Sequence, residues 1–259
     1  MQSPLSQLGR RTAAPPVSWL MSLSLNRPGL ISLAAGFTDN LTLPVDEMRA
    51  AAEELLAHRS TGEPALQYGT TVGLDSLRWR TAKRIEVLER RRGHTDAEVV
   101  SRRVVITHGS QQMLYLVTEV LCDSGDIVFV EDPTYFVFLG IIQSHGLQCR
   151  GLRLDSDGID LTRLEAALEG LKRTGLLHRL KMVYLVTYHQ NPTGTTTAFA
   201  KKQAALALLR HYERYAGHPL FLFEDAAYRE LGFEGEKPPS ALAARSGRSR
   251  VIYTGTYSK

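Results

Sequence analysis

Five short segments of this 259-residue chain carry side chains able to do chemistry: THGSQQ (107–112), EDPTYF (131–136), TYHQNPTG (187–194), FEDAAYREL (223–231) and TGTYSK (254–259). In the first, Gly109 lets backbone approach closely, and Ser110 is placed to cap a helix whose free amides can hold a phosphate. Tyr135 follows Pro133 in a rigid turn that can lay its ring flat over a bound aromatic. Asn191 stands before a proline, which biases it to an extended conformation and lets its amide face a ligand oxygen. Glu224 and Asp225 arrive together at the end of an apolar run, one of them expected to point inward, and Tyr228 follows. Lys259 brings an amine beside Gly255, Thr256 and Ser258. Taken singly, each has a bland reading: a capped turn, a half-buried core aromatic, an Asn-Pro turn that ends a strand, a solubilising charge. A Walker-B-like magnesium site at the two acids has no GxxxxGK[ST] loop to accompany it.

The elements that must position these groups are legible as a regular alternation. From Arg103 onward, short apolar or β-branched runs (VVIT, DIVFVED, LQCRGLRL, MVYLVT, PLFLFED, RVIYTG) are separated by polar loops and helical stretches. SQQMLYLVTEVLCDSG, LTRLEAALEGLKRTG and AFAKKQAALALLRHYERYAG read as helices, the second with Leu161, Leu164 and Leu168 inward. Upstream, PVDEMRAAAEELLAH puts Val45, Met48, Ala52 and Leu55 on one helical face, and Leu74, Leu77, Ile85 and Leu88 recur at helical spacing. Strands alternating with helices predict an α/β fold: three layers, with a mainly parallel sheet covered on both faces. In such sheets ligands bind beyond the carboxyl ends of the strands, which is where all five segments fall.

Five chemically capable strand ends in one sheet carry more than any one of them. A phosphate cradle, an aromatic plate, an amide, a carboxylate and an amine are together the parts that hold pyridoxal 5'-phosphate. The order and spacing of ISLAAG, LQYGTTVGLDSLR, THGSQQ, EDPTYF, QNPTG, EDAAYREL and TYSK, spread over residues 30–259, resemble the class I/II aminotransferases, which are fold-type I pyridoxal-phosphate enzymes. The likeness leans toward the 2-aminoadipate and aromatic aminotransferase branch.

That resemblance implies roles. Lys259 forms the internal aldimine, Asp225 pairs with the pyridine nitrogen, and Asn191 and Tyr228 pair with the phenolic oxygen. Tyr135 stacks on the ring, and Gly109, Ser110, Gln111 and Thr256 surround the phosphate. Tyr68 reaches the phosphate of a neighbouring subunit, implying a homodimer. Gly36 lies near the substrate carboxylate, as does Asn191. The implied activity is transfer of an amino group from an amino acid to a 2-oxo acid by a ping-pong route. Residues 1–75 are expected to form an N-terminal arm and the start of a small-domain and dimer segment, and 76–259 an incomplete coenzyme-binding large domain. The family pattern continues past the lysine into SKxxxPGLRxG and a small domain with a carboxylate-gripping arginine, so the resemblance implies a truncated form. It also sets a later antiparallel strand between those resembling VVIT and RVIYTG, whose loss leaves unpaired edges. Two other readings share the scaffold: a non-catalytic coenzyme-binding module, such as part of a MocR-type regulator or a pseudoenzyme, and a lyase or decarboxylase. The regulator loses ground because no winged-helix segment precedes residue 30.

Composition sets the outer bounds. A hydrophobic share of 43% and a charged share of 22% exclude a collagen-like or disordered chain. The net charge of +4 comes from scattered residues apart from Arg90, Arg91 and Arg92, so no nucleic-acid stripe is expected. Cys122 and Cys149 are far apart and lack metal-ligand spacing, which predicts no disulfide framework, no metal site and a reducing, cytoplasmic setting. No apolar run approaches the roughly 20 residues of a membrane helix. Arg10 and Arg11 precede a stretch interrupted by prolines and serines, a poor export signal.

Overall fold

The computed structural model describes residues 3–27, 29–31, 38–89, 100–235, 237–244 and 249–258. The chain divides into two compact units, Ala14–Asp75 and a second made of Met1–Ala13 with Ser76–Lys259.

The larger unit is built on a six-stranded sheet: β1 (Ile127–Asp132), β2 (Gln148–Asp155), β3 (Gly158–Ile159), β4 (Leu180–Val186), β5 (Phe221–Asp225) and β6 (Val251–Thr254). Its spatial order is β3-β2-β1-β4-β5-β6, and every pairing is parallel except the short β2–β3 hairpin. Alternation of side chains along each strand sorts the core into two layers. Ile127, Phe129, Leu185 and Leu222 join one cluster, which packs against helices Leu161–Arg173 and Phe199–Ala216. Val128, Val130, Tyr184 and Phe223 join the other, against helices Gly109–Leu121 and Phe136–His145. The expected three layers and the inward Leu164 and Leu168 are as predicted; each of these leucines is fully buried and contributes about 1.5–3 kcal/mol by leaving water.

Three local expectations differ. Residues 104–107, the VVIT run, join no ladder among the described residues. A cavity of about 620 Å³ is lined by Val104, Val105 and Ile106 and by Val251, Ile252 and Tyr253 of β6, among others. The backbone of Val104 bonds instead to Ser101 O and to the Arg78 guanidinium. Helix Phe136–His145, directly after EDPTY, has no counterpart among the predicted elements. FVFLGIIQSH is apolar on nearly every side and so shows no stripe, although only the side bearing Phe138, Ile141, Ile142 and His145 is buried and Phe136 and Leu139 are exposed. It stops at Gly146, whose φ of 71° suits glycine and whose N–H bonds to Gln143 O and Ile142 O. In the smaller unit, helix Val45–Leu56 forms as expected, yet the face bearing Val45, Met48 and Leu55 is exposed. No helix among the described residues is long and apolar enough to cross a membrane.

The outer face of β5 is fixed by a buried ion pair. Glu224 and Lys202 are both 0% exposed, with Nζ 2.9 Å from Oε1. Glu224 also accepts hydrogen bonds from Thr187 Oγ1 and Ala241 N, each at 2.8 Å, and Lys202 Nζ donates to Pro239 O at 3.2 Å. Desolvation lowers the Lys202 pKa, and the Glu224 carboxylate pushes it back up. Removing one partner strands a buried charge. Lys202→Met is therefore expected to lower unfolding stability by about 3–5 kcal/mol, and Lys202→Met with Glu224→Leu by markedly less, as read from urea midpoints.

Candidate active site

The carboxyl ends of β1, β4, β5 and β6 and the start of helix Gly109–Leu121 carry the residues singled out in the sequence. Asp225 closes β5, paired in register with Val186 on one side and Thr254 on the other. Because neighbouring strand residues face opposite ways, Asp225 shares its face with Phe223 and Tyr184, while Glu224 turns to Lys202. Both acids are buried, where only one was expected to point inward: each has its own partners on its own face.

Asp225 is 3% exposed. Its Oδ2 accepts a 2.8 Å hydrogen bond from Tyr184 Oη, and its Oδ1 accepts from Ala227 N at 3.1 Å. Desolvation raises its pKa, and the bonds from Tyr184 and Ala227 oppose that rise. A cation set against this carboxylate would favour the ionised form further.

Asn191 and Tyr228 come together, with Asn191 Nδ2 donating to Tyr228 Oη at 3.4 Å. Tyr228 is held from behind by its neighbour Arg229, which is 1% exposed. Arg229 Nη1 pairs with Glu89 at 2.6 Å and its Nη2 donates to Leu88 O at 3.0 Å. Half-buried Tyr135 lies in the same neighbourhood: burial is the main cause of its raised pKa, and Tyr228 and Asp225 add to it. Tyr135 and Tyr228 both pack against the cluster that contains Tyr184 and Phe223.

At the helix start, Gly109 has a φ of 75°, a conformation that favours glycine, and a Cβ there would sit 3.9 Å from Thr256 Oγ1. Gly109 and Thr256 are thus side by side, with Ser110 and Gln111 in the first helical turn. Ser110 does not cap the helix as the sequence suggested. The helix begins one residue earlier, at Gly109, and His108 before it makes no side-chain cap, so the first-turn amides have no side-chain cap. Thr256 Oγ1 bonds to Ser258 Oγ at 2.8 Å, and Tyr257 Oη to Thr81 Oγ1 at 2.7 Å. Lys259 and Gly36 lie outside the described residues. Tyr68 belongs to the smaller unit, where its side chain is 99% exposed.

The sequence did not flag Tyr184, Arg229, Glu131 or Gln190. Tyr184 had a faint signal, a lone hydroxyl in an otherwise apolar run. Its contribution is measurable: Tyr184→Phe removes a donor to Asp225, so the pKa of Asp225, followed by carboxyl-carbon NMR, is expected to move upward from its wild-type value.

Comparison with known proteins agrees with this layout. A family model described as aminotransferase class I and II matches residues 28–259. Aromatic-amino-acid aminotransferase 1 of Thermococcus litoralis is 33% identical over 230 residues, 89% of this chain and 51% of that protein. The crystal structure of Pyrococcus horikoshii kynurenine aminotransferase in complex with PMP matches with a TM-score of 0.83 at 32% identity, covering 99% of this chain and 59% of that one. The alpha-aminoadipate aminotransferase of Thermus thermophilus, complexed with N-(5'-phosphopyridoxyl)-L-leucine, matches with a TM-score of 0.77 at 30% identity, over 98% and 58%. The chain spans about half the length of the curated relatives it matches. The sheet and its helices are those of the large domain of fold-type I aminotransferases. With both the family match and the arrangement of strand ends in view, this chain belongs to the class I and II aminotransferases.

Proposed function

We propose that this chain forms the coenzyme-binding part of an aminotransferase that moves an amino group from an amino acid to a 2-oxo acid, using pyridoxal 5'-phosphate in a ping-pong cycle. The observation that carries the reading is the buried Asp225 carboxylate, set on one sheet face with Tyr184, Tyr135 and the Asn191–Tyr228 pair around it. On this reading residues 76–259 are the coenzyme domain, and 1–75 an arm and the start of a small-domain and dimer segment. Relatives crystallised with PMP or a phosphopyridoxyl amino acid support the choice of coenzyme.

The residues present fit that group. Asp225 is a buried acid whose neighbours leave its ionised form in want of a cation, which a protonated pyridine nitrogen supplies. The Gly109 turn, Ser110, Gln111 and Thr256 form a helix-start cradle for its phosphate. Tyr135 covers its ring, Asn191 and Tyr228 hold its phenolic oxygen, and Lys259 holds it covalently. Tyr68, exposed in its own unit, reaches the phosphate of a second subunit in a homodimer. Gly36 and Asn191 are the residues assigned to the substrate carboxylate.

When bound, the coenzyme supplies an electron-accepting ring that stabilises the charge left on an amino acid's α-carbon. Asp225 keeps a proton on the ring nitrogen. Lys259 Nζ, once the substrate amine has displaced it and left it a free amine, would take the α-proton as a base and give it up again as an acid. Tyr228 and Asn191 orient the phenolic oxygen by hydrogen bonding, and Tyr135 fixes the plane of the ring and excludes water from its face.

Incubating the chain with pyridoxal phosphate and reducing with borohydride is expected to leave a pyridoxyl group on the peptide ending in Lys259. Label elsewhere or none at all overturns the reading. In the whole protein, Asp225→Ala is expected to lower turnover by about 10²–10³-fold while leaving that labelling intact.

A further inference from the structure

Two turns of the site, one carrying Tyr135 and the other Asn191, meet at a buried side chain that the proposed chemistry does not use. Glu131, near the end of β1, is 1% exposed. Its Oε2 accepts a hydrogen bond from Val186 N at 2.9 Å, at the end of β4, and a longer one from Gln190 Nε2 at 3.3 Å. Gln190 reaches both turns. Its Nε2 donates to Pro133 O at 2.6 Å, and its Oε1 accepts from Thr193 N at 2.8 Å and Thr193 Oγ1 at 2.7 Å. Its backbone closes the second turn, with Gln190 N bonded to Thr195 O and Gly194 N bonded to Gln190 O.

Pro133 lies two residues before Tyr135, and Gln190 lies directly before Asn191. We propose that Glu131 is a positioning residue: through Gln190 it locks the turn that carries Tyr135 to the turn that carries Asn191. The ring plate and the amide are thereby held at a fixed separation. This rests on the reading of the site as a pyridoxal-phosphate pocket.

The state of the carboxyl supports this role. Glu131 Oε1 is buried with no hydrogen-bond partner among the described residues. Desolvation is the largest influence on the group and pushes its pKa up to about 8, the bonds from Val186 and Gln190 pull it down, and Asp225 raises it. The titratable groups facing it are Asp225 from β5 and Tyr184 from β4. Burial thus favours the neutral form of Glu131, in which it ties the turns together without setting a second negative charge beside Asp225. A glutamine fits the same place, its carbonyl on Val186 N and Gln190 and its amide nitrogen in the position of Oε1. A leucine can accept neither bond.

Because the folded pKa lies above the ordinary 4.5, the Glu131 contribution to stability is full below about pH 4.5, is lost as pH rises from there to about 8, and is constant above that. The fall in thermal midpoint between pH 5 and pH 9 is therefore expected to be shallower in Glu131→Gln than in the wild-type chain.

The deciding experiment titrates the full chain with pyridoxal phosphate and records amide NMR shifts of the coenzyme-free chain. Glu131→Gln is expected to bind within about twofold of wild type and to leave the amides of Thr193, Thr195 and Tyr135 in place. Glu131→Leu and Gln190→Leu are each expected to weaken binding about tenfold and to move those amides, and the double variant to weaken it by clearly less than the product of the two, because the Glu131–Gln190 bond is common to both. Glu131→Leu with wild-type affinity and unmoved amides overturns the proposal, as does Glu131→Gln behaving like Glu131→Leu. If Glu131→Leu does not fold, Gln190→Leu decides by the same two readings. If the wild-type chain itself fails to bind pyridoxal phosphate, the functional reading falls, and the amide shifts still decide whether Glu131 joins the two turns.

Discussion

A carboxylate buried at the end of a parallel strand is costly unless something answers its charge, and Asp225 is where this fold meets that cost. Tyr184 and the Ala227 amide give it two hydrogen bonds, fewer than an ionised carboxylate can accept, while desolvation presses it toward its neutral form. The site is in that sense prepared for a cation. Its partner in sequence, Glu224, is answered in full on the opposite face by Lys202, Thr187 and the Ala241 amide. Two adjacent acids on one strand therefore take contrasting roles: Glu224 anchors β5 from behind and Asp225 is presented in front. The two-residue period of the strand makes that division of labour possible.

The surrounding turns are braced in the same manner, by buried polar groups placed behind the residues that face the site. Arg229 ties the turn bearing Tyr228 to Glu89 and Leu88, and Glu131 with Gln190 ties together the turns bearing Tyr135 and Asn191. None of these side chains faces outward, yet each fixes one that does. Helix and strand scaffolds position chemistry to within fractions of an ångström only when such supports are themselves immobile.

Much of this was legible in the sequence, because parallel strands buried on both faces appear as short apolar runs that end at polar turns. DIVFVED, MVYLVT and PLFLFED announced β1, β4 and β5, and the turns after them announced Tyr135, Asn191, Asp225 and Tyr228. VVIT has the same composition without being a strand here, since pairing depends on a neighbour that composition cannot report. FVFLGIIQSH hid a helix because apolar residues occupy its exposed side, Phe136 and Leu139, as well as its buried one, so no stripe marks it. Tyr184, Glu131, Gln190 and Arg229 were missed for a further reason. Apart from the local bonds of Gln190 to Thr193, the side-chain partners named for them lie between 24 and 141 positions away, where no local pattern points. Ser110 was misread as a cap through a shift of one residue in the helix start.

The central claim is that Asp225, ionised, keeps a proton on the nitrogen of a bound pyridine ring. The most direct measurement is the ¹⁵N NMR shift of pyridoxal phosphate labelled at the ring nitrogen, bound to the wild-type chain and to Asp225→Ala across the neutral pH range. The account predicts a protonated nitrogen in the wild-type chain and an unprotonated one in the variant. An unprotonated nitrogen in the wild-type chain, or the same protonated signal in both, would contradict it.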